Sequence, residues 1–327
     1  MEPLTLDQHT IVATELAHET LARLAQAIDA EAARPDIAAS TRRAYDHDVW
    51  DFTNFCERFG LSALPAEPQT LALYLKYLQE RGLAVSSLRR RLAAIALHHT
   101  AHHHESPTSH PLIRRMLRSY TRVKGTAVQK KTALLIEHLP SLLMAMPDDL
   151  AAARDRALLL LGYAGAFRRA ELVALDLEHA RFSKNGLYLW IAAAKNDQTK
   201  KGRDLYVPRL PKPELCAVRA LEGWLEQAAI AEGALFRTFD LRGRLTPHRL
   251  DSGDVARILK RRAVAGGVTG DFAGHSLRRG FITNAAKRKV PIENIKRVTG
   301  QRSNTIVLDY VAAATLDDDP PLLEIVR

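Results

Sequence analysis

Between Gly125 and Lys131 the chain reads GTAVQKK, a stretch with little apolar content and two lysines, and the patterning on its two sides differs. That break constrains the fold more than any other feature. One core spanning both sides would have to continue through a segment with nothing to bury, so the segment reads as an interdomain linker. The length of 327 residues agrees, since domains cluster near ~100–150 residues.

Before the linker, helix punctuation cuts the chain into short pieces. A helix is predicted after Ser40, read as its N-cap, with Tyr45, Val49, Phe52 and Cys56 on one face and Gly60 closing it. A second runs from about Gln69 to Glu80 with Leu71, Leu75 and Leu78 inward. A third opens at Ser86 or Ser87, presents Leu88, Leu92, Ile95 and Leu97, and reaches about His102. Pro107 separates it from a fourth over Pro111–Val123, with proline at the favourable first position. Residues 39–124 therefore read as a helical bundle. Residues 1–38 precede it as a leader, with a helix predicted from about Asp7 to Ala33 that Pro35 ends.

After the linker, residues 132–327 change character. Helices are predicted near Ile136–Met144, Leu150–Ala164, Glu214–Gln227, Ser252–Ala265, His275–Arg288, Ile292–Val298 and Ser303–Ala313. Among them lie three strand-like runs, Ala180–Phe182, Leu187–Ala193 and Asp204–Pro208. Lys184-Asn185-Gly186 reads as a hairpin turn because Asn-Gly tolerates positive φ. The fold class is mainly α: a bundle, then a mostly helical domain with one small antiparallel sheet.

Charge narrows the partner. The formal net charge is +10, and residues 39–131 carry fifteen Lys/Arg against seven Asp/Glu, whereas residues 1–38 carry two against seven. Such an excess suits a polyanion. Arg42, Arg43, Arg89, Arg90, Arg91, Arg114, Arg115, Arg118 and Arg122 would give the bundle a stripe facing phosphates, which attracts and positions without reading sequence. Cys56 and Cys216 match neither a disulfide framework nor a zinc spacing. His98 and His102 stand four apart among His99, His103 and His104, but only Glu105 is near to complete a shell, so no metal is expected. The longest apolar run, Ala157–Phe167, falls short of the ~18 residues a membrane span needs. No cationic patch precedes an apolar run at the N-terminus, so the expectation is a cytosolic protein without a membrane partner.

Four separated places in the second domain carry polar groups that neither a core nor a loop requires. They are Arg168 with Glu171 after the apolar helix, Lys195 after the second strand, His275 with Arg278, and Gln301 followed nine residues later by Tyr310. In this order and setting they resemble the tyrosine recombinase (phage integrase) family over about residues 38–315. The resemblance implies a SAM-like core-binding bundle and a catalytic domain of the DNA breaking-rejoining fold. It also implies a site-specific recombinase, associated with the bacterial nucleoid, that cleaves and rejoins duplex DNA through a 3′-phosphotyrosyl link during integration, excision or resolution of a mobile element. Its partners would be inverted-repeat sites, three further copies of the chain across two sites, and an optional accessory DNA-binding protein.

The residue types fit that chemistry. A tyrosine oxygen, here Tyr310, conserves bond energy as a phosphotyrosyl ester. Arg168 and Arg278 would clamp the non-bridging oxygens with planar donors that stay charged. By resemblance Lys195 protonates the leaving 5′-oxygen, with Lys200 and Lys201 in the same turn as competing candidates and as further DNA-binding residues. His275 would assist proton movement at the tyrosine, and Glu171 would orient Arg168 or His275. Where the family has His or Trp, this chain has Gln301, which can donate a hydrogen bond but cannot shuttle a proton. Neither a cofactor nor a divalent metal is implied, since the guanidinium pair supplies the positive charge. Two alternatives are an accessory DNA-binding protein that has lost catalysis and a type IB topoisomerase-like enzyme. The apolar run Leu322–Val326 suggests a tail that docks, on its own domain or on a neighbour.

Overall fold

The computed structural model describes residues 39–125, 131–192 and 202–301, together with Thr20, Arg23, Ile37, Asn304 and Leu308. The leader helix, the helix over Ser303–Ala313 and the apolar tail therefore lie outside the described residues, single positions aside. The chain divides into two compact units, Met1–Val128 and Gln129–Arg327.

The first unit is built from α1 (Ala39–Arg58), α2 (Pro68–Glu80), α3 (Val85–Ala101) and α4 (Pro111–Lys124), with a 3-10 turn at Pro107–Ser109. Prolines at the starts of α2 and α4 pre-set the helical φ where no N–H is needed. Ser40 is no cap: α1 already includes Ala39, a stronger helix former than serine. Leu71, Tyr74, Leu75 and Leu78 are buried on one face of α2 and meet Phe52, Cys56, Leu88, Ile95 and Ile113. Each such side chain contributes roughly 1.5–3 kcal/mol on leaving water.

The histidine run is divided between core and surface. His99 is fully buried; its Nε2 accepts the Ala66 N–H at 3.0 Å while Nδ1 lies 2.8 Å from the Ile95 carbonyl. Both bonds are satisfied only by the neutral Nδ1–H tautomer. Burial is the main cause that lowers its pKa, so the native state resists the proton that the unfolded chain accepts. Stability is then fully present above the ordinary histidine value near ~6.5 and declines as pH falls below it. Urea midpoints of the bundle should fall between about pH 7 and 5, and His99→Asn should flatten that slope. An unchanged slope would show that His99 does not set it. Among the described residues, no three metal-ligating side chains come together.

The second unit is centred on α6 (Leu150–Ala164), which is buried nearly all round and N-capped by Asp149, whose Oδ1 accepts the Ala152 N–H at 2.7 Å. It follows α5 (Leu139–Met144) and precedes α7 (Arg169–Val173), α8 (Ala217–Gln227), α9 (Ser252–Ala265), α10 (Ser276–Lys287) and α11 (Ile292–Thr299). The span predicted as one helix over Ile136–Met144 is a 3-10 turn, Ile136–His138, and then α5, because Pro140 lacks the N–H that would continue one ladder.

Strands β1 (Ala180–Ser183), β2 (Gly186–Ile191) and β3 (Arg203–Pro208) form an antiparallel sheet in that order. The turn is Lys184-Asn185, and neither it nor Gly186 takes a positive φ. Gly186 serves for space instead: a Cβ there would lie 2.4 Å from the Val207 carbonyl oxygen. A second hairpin, β4 (Arg237–Phe239) with β5 (Leu245–Arg249), adds a sheet beyond the single one expected. Its turn is braced by Asp240, whose Oδ1 accepts the N–H groups of Arg242 and Arg244 at 2.9 Å, with Gly243 at φ +75°. Among the described residues no helix is long and apolar enough to cross a membrane.

One buried ion cluster joins these elements. Asp155 is fully buried and receives Arg154 Nη2 at 2.8 Å, Arg261 Nη2 at 2.8 Å and Arg262 Nε at 2.9 Å. Arg154 also donates to the Arg237 carbonyl at 3.1 Å and covers the Phe239 ring. One carboxylate thus links α6, α9 and β4. Elsewhere in this unit, Thr132 and Leu134 donate to the carbonyls of Asp271 and Ser276 at 3.0 Å, which lays the chain along α10. Gly280 makes this approach feasible, since a Cβ would fall 1.7 Å from the Leu134 oxygen.

Candidate active site

The chain leaves α6 through Gly165 and Ala166, and Ala166 takes φ +46°, an uncommon conformation for a residue with a side chain. That bend sets up two contacts. It turns the Ala166 carbonyl toward Arg278, whose Nη1 donates to it at 2.7 Å. It also brings Arg168 to the N-cap of α7, where its backbone N–H donates to Glu171 Oε2 at 3.2 Å and its guanidinium Nη1 pairs with Oε1. Local backbone strain of this kind costs on the order of 1–3 kcal/mol and persists where surrounding contacts hold it.

Glu171 is nearly buried, at 8% side-chain exposure, whereas Arg168 is 38% exposed. The carboxylate is therefore the fixed element, and the arginine reaches outward from it. A second guanidinium, Arg203 at the start of β3, lies 3.7 Å from the other carboxylate oxygen.

His275 and Arg278 stand at the start of α10, but in different surroundings. His275 is the N-cap residue and is exposed, whereas Arg278 lies in the first turn at 5% exposure. Gly274 admits Arg169 against the backbone, where a Cβ would meet Arg169 Cδ at 2.8 Å. The imidazole pKa is lowered, first by desolvation against the protein and then by Arg278, Arg169 and Arg168, with Glu171 opposing. Burial first, and then the nearby guanidiniums, thus favour the neutral imidazole, which can accept a proton.

The fourth element enters from α11. That helix ends at Gly300 with φ +64° and ψ 28°, and Arg203 Nη1 donates to the Val298 carbonyl at 2.9 Å just before it. Gln301 follows, half-buried, with Oε1 buried and without a hydrogen-bond partner. Arg168, Glu171, His275, Arg278 and Gln301 are thus brought into one neighbourhood, directly or through Arg203. Lys195, Lys200, Lys201 and Tyr310 lie outside the described residues. Arg169 and Arg203 were missed from sequence. Arg169 is masked by its neighbour Arg168, and the expected strand began one residue after Arg203.

On the first unit, Arg42, Arg43, Arg89, Arg114, Arg115, Arg118 and Arg122 are exposed. Arg90 is exposed as well, at 46%, although ion-paired, whereas Arg91 is withdrawn from the surface at 12%. Arg90 forms a two-pronged pair with buried Asp48, at 2.7 and 3.0 Å. Arg91 pairs with Asp51 and donates to the Tyr74 hydroxyl at 2.6 Å. A buried carboxylate needs a charged partner more than a surface phosphate contact does, and α3 supplies it.

Two described arginines, an imidazole held neutral mainly by burial and a buried carboxylate that aims one of the arginines make, on a mainly helical domain, a site of the class suited to phosphoryl transfer. Comparison with known proteins takes this further. Residues 133–316 match the Phage integrase family, and residues 33–106 match the Phage integrase, N-terminal SAM-like domain. The chain is 35% identical over 290 residues to an integrase/recombinase XerD homolog of Selenomonas ruminantium, covering 87% of this chain and 85% of that one. It is 27% identical to tyrosine recombinase XerC 1 of Ralstonia nicotianae, covering 75% and 74%. Among solved structures, the Tn1549 transposon integrase in complex with transposon right end DNA is similar in fold, with a TM-score of 0.62 at 14% identity over 90% of this chain and 95% of that one. Lambda integrase bound to DNA gives 0.56 at 18% over 89% and 94%. The chain belongs to the phage integrase family and is a tyrosine-type site-specific DNA recombinase. The two alternatives, a catalytically lost accessory protein and a topoisomerase-like enzyme, are not favoured.

Proposed function

We propose that this recombinase cuts each strand by attack of the Tyr310 hydroxyl on phosphorus, leaving a 3′-phosphotyrosyl ester and a free 5′-hydroxyl. A partner strand's hydroxyl then displaces the tyrosine. No bond energy is lost to water, and atoms balance across the two transfers. The observation that carries the reading is the Arg168–Glu171 pair beside His275 and buried Arg278, groups from elements more than 100 residues apart in sequence.

The roles follow from chemistry. Arg278 and Arg168 bind the two non-bridging oxygens as charge builds on them. His275, neutral, takes the phenol proton, which a hydroxyl of pKa near ~10 must lose during attack. Lys195, with Lys200 and Lys201 as competitors, protonates the 5′-oxygen. Gln301 donates its amide N–H to a phosphate oxygen, and Glu171 orients Arg168. Residues 39–124 hold the DNA through the exposed arginines, residues 125–131 link the two domains, and residues 132–327 carry the chemistry. Four copies on two inverted-repeat sites exchange strands in pairs to integrate, excise or resolve a mobile element, with an accessory DNA-binding protein as an optional helper. The apolar tail docks on a neighbouring copy.

The test uses DNA that flanks the gene. After denaturation, the wild-type protein should retain a covalently attached fragment, which identifies the cognate duplex. Tyr310→Phe should bind that duplex with ordinary affinity and retain nothing. Cleavage by the phenylalanine variant removes Tyr310 as nucleophile, and absence of any wild-type adduct removes the reading.

His275 also sets a pH dependence. Its lowered pKa keeps it neutral as pH drops past the ordinary histidine value of ~6.5. The second-order cleavage rate constant, which reports the free enzyme, should therefore hold through that value and fall only below it. A decline beginning at neutral pH would contradict the assignment.

A further inference from the structure

Arg203 touches two parts of the site that sequence keeps far apart. Its Nη1 donates to the Val298 carbonyl at 2.9 Å, and its Nη2 lies 3.7 Å from Glu171 Oε2. The side chain is 21% exposed, and Nη2 is buried with no hydrogen-bond partner. Packing alone gives little reason to bury a guanidinium this way, because burial disfavours its charge and attraction to Glu171, opposed by Arg168, only partly offsets that. An aliphatic side chain of the same length would fill the space without that cost.

The backbone around it is shaped to the same end. Gly300 leaves α11 at φ +64°, and a Cβ there would meet Arg203 Nε at 2.5 Å. The chain thus passes directly over the guanidinium as it exits the helix. Gln301 comes next, and Tyr310 is ten residues beyond Gly300. On its other side, the Glu171 carboxylate already gives Arg168 a direct ion pair. One planar fork therefore reaches both the carboxylate that aims Arg168 and the end of the helix that leads to Tyr310.

We propose that Arg203 is a positioning residue, holding the C-terminal end of α11 in register with Glu171 so that the segment bearing Tyr310 and the Arg168 clamp are placed relative to each other. The inference rests on the roles of Tyr310 and Arg168 given above. Arg203 need not touch the reacting atoms. It acts through geometry, and the fork is essential: a lysine ammonium can serve the carbonyl or the carboxylate but not both at these positions.

The test uses the full-length protein and the duplex recovered from the wild-type adduct. Single-turnover cleavage at saturating protein, duplex affinity and the urea midpoint are measured for Arg203→Met, Arg203→Lys, Glu171→Gln and the Arg203→Met/Glu171→Gln double variant. Arg203→Met should cleave about 100-fold more slowly, the scale of an ångström's misplacement of a reacting group, with affinity and midpoint near wild type. Arg203→Lys should remain within about tenfold of Arg203→Met, because restored charge does not restore the fork. The double variant should be no slower than the worse single one, since both break the same link.

Wild-type cleavage by Arg203→Met overturns the proposal, as does full rescue by lysine, which would make charge sufficient. Losses that multiply in the double variant also overturn it, and so does a defect confined to affinity or midpoint, which would make the residue merely structural. A wild-type protein that forms no adduct removes the underlying reading and this inference together. A wild-type adduct beside an unaffected Arg203→Met removes this inference alone.

Discussion

Arg278→Lys should slow single-turnover strand cleavage by about 10²–10³-fold while leaving duplex affinity nearly unchanged, as expected for loss of one preorganised donor worth about 3–4 kcal/mol of barrier. Lysine keeps the charge, so the loss isolates geometry. Arg278 is 5% exposed, and one prong of its fork is spent on the Ala166 carbonyl, which fixes the plane of the guanidinium. A lysine at this site holds either the carbonyl or the phosphate. On the function proposed above, affinity rests mainly on exposed arginines of the other unit, including Arg42, Arg115 and Arg118. Comparing the variant with wild type at saturating protein, with unfolding midpoints as a control, decides the matter. A rate within tenfold of wild type would show that charge at this position suffices.

Asp155→Ala should destabilise the second unit by about 3–5 kcal/mol, because it leaves buried guanidiniums without their counter-ion. Arg154 and Arg262 have side-chain exposures of 7% and 10%, so water cannot replace the carboxylate. Arg261, at 60%, can turn to solvent and should contribute little. Asp155→Asn keeps the shape and some hydrogen bonding and should fall between alanine and wild type. The measurement is the urea transition of the second unit, followed by its own probe because a two-unit chain need not unfold in one step. Trp224, buried in that unit's core, supplies a fluorescence signal. A loss below about 1 kcal/mol would mean that the cluster relaxes around the missing charge.

Much of the fold was legible along the chain, for identifiable reasons. Leu150–Ala164 and Ser252–Ala265 were bounded correctly because an aspartate stands at the N-cap of each and a glycine follows the last helical residue. The first hairpin was placed correctly although its physical reason was different, since Gly186 makes room for β3 and does not supply a positive φ. The second hairpin was missed. Pro247 lies within β5 and discourages a strand reading, although Asp240 and Gly243 carry the turn signal that precedes it. Arg91 illustrates the limit of charge counting. Three successive arginines read as a surface stripe until the positions of Asp48 and Asp51 are known.

What the sequence alone determined was the mainly helical fold class and the bounds of individual helices, because these depend on local periodicity and capping. Tertiary structure decided which charges meet. Ala166 turning its carbonyl to Arg278, Glu171 receiving Arg168 with Arg203 beside it, and Asp155 gathering three arginines all depend on contacts between distant segments. Electrostatic energy varies with separation and burial, and neither quantity exists until the chain has closed on itself.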